Sequence, residues 1–144
     1  MSIKAVVSSS VLTVAASLLA GGEAHAQAGL LTGGATELEP ITLSCCQPMV
    51  QAPYELESGK YYRIAITADG SSEIAIEGPE FFRNVWVDEV VINDIEVRPL
   101  GVSSLEFDDA GTATISFVTI RPGSFTLRIP GTTGETQQAV FNVK

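Results

Sequence analysis

Two runs of alternating hydrophobic residues on either side of Pro122-Gly123 constrain this chain more than any other stretch. In the first, Ala113, Ile115 and Phe117 alternate with Thr112, Thr114 and Ser116; in the second, Phe125, Leu127 and Ile129 alternate with Ser124, Thr126 and Arg128. A period of two sends successive side chains to opposite faces of a strand, so each arm has one dry face and one wet face. Pro122-Gly123 supplies a turn between the arms and Pro130-Gly131 closes the unit, which together predict a β-hairpin.

The rest of the chain follows the same idiom. Glu39 to Leu43 and Pro53 to Leu56 are candidate strands, and Tyr61 to Thr67 alternates clearly, with Tyr62, Ile64 and Ile66 on one side. Asp69-Gly70 then offers a turn into Glu73 to Glu77, predicting a second hairpin. Gly78-Pro79 breaks the pattern, and residues 80–86 (Glu-Phe-Phe-Arg-Asn-Val-Trp) suit a short helix or packed loop. An isolated strand would expose half of Phe81, Phe82 and Trp86, so this segment is expected to cover an end or side of the sheets. Val90 to Ile92 and Ile95 to Val97 flank Asn93-Asp94, a third hairpin, and Arg98-Pro99 ends it. Leu105 to Phe107 and Gln138 to Lys144 complete the set, with Ala139, Phe141 and Val143 on one face of the last strand. Many short strands at close spacing, with almost no helical periodicity, give an all-β fold, a Greek-key β-sandwich or a barrel-like variant of one.

The first 26 residues read as a cleaved signal peptide: Lys4, an apolar run from Ala5 to Ala20, then small residues ending in Ala24-His25-Ala26. Ser8 to Ser10 interrupt a run that falls short of the ~20 apolar residues a membrane span needs. Residues 27–38, glycine-rich, read as a flexible leader, and 39–144 as one β-sandwich domain. The signal takes one lysine and one glutamate with it, so the formal charge stays at −9. A surface this acidic repels phosphate backbones and anionic lipid, which argues against nucleic acid and against membrane binding after cleavage.

The C-terminal third resembles the cupredoxins, the blue-copper β-sandwiches of exported electron-transfer proteins. The resemblance is carried by Thr114 to Phe117, Arg121 to Leu127, Ile129-Pro130-Gly131 and the closing Ala139 to Val143, with Tyr54 to Lys60 ahead of Tyr61 similar to an early strand and turn. It implies a cupredoxin-like sandwich and a periplasmic or secreted setting in a Gram-negative envelope. Copper-binding members carry a cysteine and a histidine around the second Pro-Gly, often a later methionine, and another histidine in an earlier loop. Here the link from Pro122-Gly123 to Pro130-Gly131 is shorter than in those members, so the stretch that would hold the cysteine is missing or replaced by Arg128 and Ile129; Thr132 follows Pro130-Gly131 in place of histidine, and Asp69 to Glu73 contains no histidine. The sole histidine, His25, lies in the signal segment. A type 1 site needs two imidazoles and a thiolate, so a member lacking that site is expected.

Other chemistry is concentrated in a few places. Cys45, Cys46 and Met49 offer soft sulfur donors suited to Cu(I), with Glu73 as an accessory carboxylate; an oxidised vicinal pair, free thiols or an intermolecular disulfide are the alternatives. Asp88, Glu89, Asp94, Glu96, Asp108 and Asp109 could gather a hard cation such as calcium, but no D-x-D-x-D-G pattern orders them, and surface charge or turn formation accounts for them equally. Arg83, Asn84 and Trp86 could form an interaction patch for an envelope protein, against core packing of the aromatics with Arg83 as a cover. Without histidine, G-x-S-x-G or a phosphate-cradling glycine loop, no enzymatic activity is expected. The sequence therefore predicts an exported binding or accessory module, with copper handling through the sulfur cluster as the alternative.

Overall fold

The computed structural model describes residue 31 and residues 33–144. The predicted signal peptide, and the leader up to residue 30, lie outside the described residues.

The chain runs β1 (Thr36–Glu37), β2 (Ile41–Leu43), β3 (Tyr54–Leu56), β4 (Tyr61–Ala68), β5 (Ile74–Glu77), α1 (Pro79–Asn84) and β6 (Val85–Ile92). It continues with β7 (Ile95–Val97), β8 (Ser104–Phe107), β9 (Gly111–Thr119), β10 (Gly123–Arg128), a single 3-10 turn (Glu135–Gln137) and β11 (Gln138–Val143). One sheet has the order β1-β4-β9-β6-β7, with β2 also on β4; the other has the order β3-β11-β10-β5-β8. Thr36 pairs with Tyr62 and Ile41 with Ile66, both in parallel, so β1 and β2 form one interrupted edge along β4. The sheet thus begins at Thr36, inside the segment expected to be a flexible leader.

Dry faces of the two sheets meet in a single core. Ile64, Ile66, Ile115 and Phe117 come from the first sheet, and Leu56, Ile76, Leu127 and Phe141 from the second, all at most 2% exposed. The helix of residues 79–84 completes this core: Phe81 packs edge-on to Phe117, ring centroids 5.3 Å apart, and at 4.5 Å from Phe141. Phe81 therefore bridges the two sheets. Gly78 lets the helix start close against β10, since a Cβ there would meet Leu127 and lie 2.7 Å from the Thr126 carbonyl oxygen. Phe81 and Phe82 are buried as expected, but Trp86 belongs to β6 and is 49% exposed.

Two of the three predicted hairpins are corrected by the topology. The strands around Pro122-Gly123 do not pair: β9 lies between β4 and β6, and β10 lies between β11 and β5, in the other sheet. Pro122-Gly123 is an arch between sheets. The same holds across Asp69-Gly70, where β4 and β5 belong to different sheets. Alternation specifies one dry face per strand, and two such faces can be joined side by side or face to face; the pattern is identical in both cases. The third hairpin forms as expected, with Val90 opposite Val97 and Ile92 opposite Ile95. An antiparallel pair not foreseen from the sequence, β10 with β11, is closed by the loop that follows Arg128.

Candidate functional site

Trp86 sits on the outer face of the first sheet because β6 alternates Val85 and Val87 inward with Trp86 outward. In register it lies beside Val118, which in turn lies beside Tyr61, forming an apolar row across three strands. Asn84 ties the neighbouring arch to this row. Its carbonyl oxygen accepts the backbone N–H of Ile120 at 3.0 Å and of Arg121 at 3.3 Å, while its side-chain amide donates to the Glu80 carbonyl at 2.7 Å. Ile120, 53% exposed, is held diagonally across from Trp86 on the same face. Arg83 pairs with Glu80 at 3.1 Å, both side chains more than 70% exposed, a contact worth little in water. Arg121 is exposed and has no acidic partner among the described residues. Asn84 and Trp86 of the predicted patch thus sit at one end of the outer face, with Arg83 on the adjoining helix end; Ile120 and Arg121 were missed because only the arch brings them there.

Below that row the outer face is polar. Tyr61 donates its hydroxyl to Asp88 Oδ2 at 2.9 Å, and Arg98 reaches Asp88 Oδ1 at 2.6 Å and Glu89 Oε2 at 3.1 Å, and also touches Glu96. The buried Ser116 hydroxyl links Arg63 Nε at 3.2 Å to Glu89 Oε1 at 3.1 Å. Hydrogen bonding with the Glu96 carboxyl, reinforced by desolvation, raises the pKa of Glu89, and the same contact, with Arg98 alongside, lowers that of Glu96. The pair holds one proton more readily than two independent carboxylates would. A β-bulge between Val87 and Glu89 allows adjacent Asp88 and Glu89 both to serve Arg98. Three of the six candidate calcium ligands are therefore spent on a guanidinium; the others, Asp94, Asp108 and Asp109, lie in turns. Among the described residues no cluster of three His, Cys, Asp or Glu could hold a metal ion.

Cys45 and Cys46 form a vicinal disulfide, exposed at the end of the sandwich opposite Trp86. The Cys45 N–H donates to Ser71 Oγ at 3.3 Å, and the Met49 N–H to the Thr136 carbonyl at 2.9 Å. The sulfur loop is thereby seated between the 69–73 loop and the loop after Pro130-Gly131, the two places where the resemblance located copper ligands. Met49 itself is only 2% exposed and packs in the core, so the structure does not bring the three sulfurs together as donors. Nor does this end fit a type 1 centre. Residues 33–144 contain no histidine, and Arg128 extends a cation across the second loop, donating to the Thr132 carbonyl at 3.0 Å and to Gln138 at 2.6 Å. A fixed guanidinium repels a cation at close range.

A cleft of about 400 Å³ opens between β2 and β3 and is lined by Glu39, Thr42, Gln47, Met49 and Tyr54 among others. Tyr54 closes its floor, donating to the Glu39 carbonyl at 2.8 Å and stacking on Phe141 at 4.7 Å. Burial, with Glu39 nearby, pushes the Tyr54 hydroxyl up to about 12.

Two sheets in this order, bridged by arches and closed by a β10–β11 pair, define a cupredoxin-like β-sandwich, and comparison with solved structures agrees. A multicopper oxidase from Pseudomonas thermotolerans superposes with a TM-score of 0.54 at 16% identity, over 76% of this chain and 30% of that one. The McoA multicopper oxidase of Aquifex aeolicus gives 0.52 at 13%, over 78% and 30%. The copper nitrite reductase of Nitrosomonas europaea gives 0.52 at 14%, over 65% and 33%. The match spans about a third of each of these copper proteins. No sequence family and no curated relative matches.

Proposed function

We propose that this chain is an exported cupredoxin-like domain protein without a type 1 copper site, acting as a binding or accessory module in the bacterial cell envelope and contacting its partner through the Trp86 surface. The observation that carries the reading is the half-exposed Trp86, set in an apolar row and flanked by Ile120 and the arginines 83 and 121. Tryptophan and arginine are enriched among the residues that carry the energy of protein contacts, and a tryptophan, though seldom wholly enclosed, is on average far more buried than Trp86 is. The signal pattern of residues 1–26 and the bacterial origin of the structural neighbours support the envelope setting.

Trp86 is the only tryptophan, so its emission reports on this surface alone. A partner recovered from fractionated envelope extract with the wild type is expected to be lost with Trp86→Ala at unchanged thermal stability, and adding that partner, purified and with its own emission subtracted, is expected to shift the Trp86 emission to shorter wavelength. Equal recovery by both proteins removes the reading.

Copper handling through Cys45 and Cys46, with Met49 of the predicted sulfur cluster left in the core, is a second reading, favoured by the exposure of the vicinal pair beside both loops. It requires the reduced thiols. Stoichiometric Cu(I) uptake by the reduced protein against a competing chelator, abolished in a Cys45→Ser, Cys46→Ser variant, would establish it; uptake indifferent to that variant would dismiss it.

A further inference from the structure

On the side of the sandwich formed by β7 and β8, the first sheet is left partly uncovered. In register with the buried Val90, Val97 points to the core side of its sheet, yet it is 44% exposed; Ile95 and Ile92 on the same side are 65% and 40% exposed. Leu100 in the following loop is fully exposed, and Leu105 and Phe107 of β8 pack only partly against the core. A small cleft lined by Ile92, Leu105, Phe107 and Ala113 opens there between the sheets. Four of the seven large exposed hydrophobics among the described residues thus lie on one margin, far more concentrated than scattered surface apolars.

The backbone of that margin is also open. In a two-residue hairpin the residues flanking the turn form a hydrogen-bonded pair and bonding alternates from there, so Ile92/Ile95 and Val90/Val97 are bonded pairs and Val91/Glu96 is not. The Glu96 N–H and C=O consequently point away from β6, and no loop bonds to residues 95–97 among the described residues.

Charge says what kind of strand would settle there. Between Val90 and Thr112 the chain has five acids, Asp94, Glu96, Glu106, Asp108 and Asp109, against the single cation Arg98. Arg98 is already committed to Asp88, Glu89 and Glu96, and Asp94, Glu106, Asp108 and Asp109 have no ion-pair partner among the described residues. A second copy would bring the same carboxylates face to face, which disfavours self-association.

We propose that the β7 edge takes up an extended, basic segment of a partner protein as an added strand. The segment's backbone would bond to Glu96, its alternate apolar side chains would cover Ile95 and Val97, and its lysines or arginines would answer the four unpaired carboxylates. This surface is separate from the Trp86 face and does not depend on it.

The test is a titration of the isotopically labelled full-length protein with a synthetic peptide alternating lysine and valine, and in parallel with one alternating glutamate and valine. The lysine peptide is expected to bind saturably, to weaken as salt is raised, and to shift the amide resonances of residues 95–97 before others. An Ile95→Thr, Val97→Thr variant, which removes the apolar cover without changing the charge, should bind it roughly tenfold more weakly while melting as the wild type does, both side chains being solvent-exposed. If that variant melts lower, the amide shifts of the wild type decide alone. Absence of binding, equal binding of the glutamate peptide, shifts centred on another sheet edge, or a concentration-dependent dimer formed through β7 would each overturn the proposal.

Discussion

Asn93-Asp94 and Pro122-Gly123 are both two-residue breaks between alternating runs, yet one folds a strand back on its neighbour and the other throws the chain across the core. At the first, Asn93 and Asp94 take φ of 47° and 66°, consecutive left-handed residues whose twist matches paired strands. At the second, Pro122 brings a fixed negative φ and no N–H, and Gly123 adopts φ 152°, a combination no primed turn uses. The backbone around the second break is spent elsewhere: Ile120 and Arg121 donate to Asn84, and the buried Thr119 hydroxyl donates to the Glu57 carbonyl at 2.6 Å. What separates hairpin from arch is therefore the handedness of the turn and the destination of its hydrogen bonds. The hydrophobic pattern on either side is the same for both.

The comparison can be broken most severely by removing what lies between the arms of the arch. Phe81→Ala empties a fully buried site touching both sheets, and a loss of about 3–5 kcal/mol in chemical denaturation is expected. Were the arms side by side, as in a hairpin, the loss would be far smaller. Gly123→Ala attacks the arch itself, because a Cβ would meet the Phe125 ring at 2.7 Å on a backbone that L residues rarely adopt; about 1–3 kcal/mol should be lost. The opposite sign is expected at the hairpin. Asp94→Gly relieves a left-handed φ and should stabilise by up to about 1 kcal/mol, raising the melting temperature slightly. The mildest effect is silent at neutral pH. Tyr54 ionises near 10 when unfolded but near 12 when folded, so the folded state binds more protons between those values. Stability should accordingly fall as pH rises from 10 to 12, and a Tyr54→Phe variant should lose that slope.

Periodicity carries far in this chain and then stops for a definable reason. Nearly every strand is visible in its alternation, and Phe81 and Phe82 announce their burial by size. Pairing partners are not visible, because a dry face does not say whether its complement lies beside it or opposite, and the three-residue β3 and four-residue β8 have too few positions to display a period. At the candidate site Arg83, Asn84 and Trp86 could be picked out by residue type, whereas Ile120 and Arg121 depended on the arch. Alternation alone would have placed Trp86 correctly: Val85 and Val87 claim the inner face of the strand. The acidic residues 88, 89 and 96 invited a cation reading that only the position of Arg98, two residues beyond Glu96 but folded back over β6, could replace.

One consequence concerns the order of events in the cell. The strand of residues 138–143 lies between β3, residues 54–56, and β10, so the second sheet has no continuous framework until Val143 has been synthesised. Parallel pairing of so early and so late a segment is a long loop closure, slow compared with local contacts. Until that closure β3 and β10 each lack a strand partner on the side that β11 fills, so the second sheet is the later of the two to gain hydrogen-exchange protection.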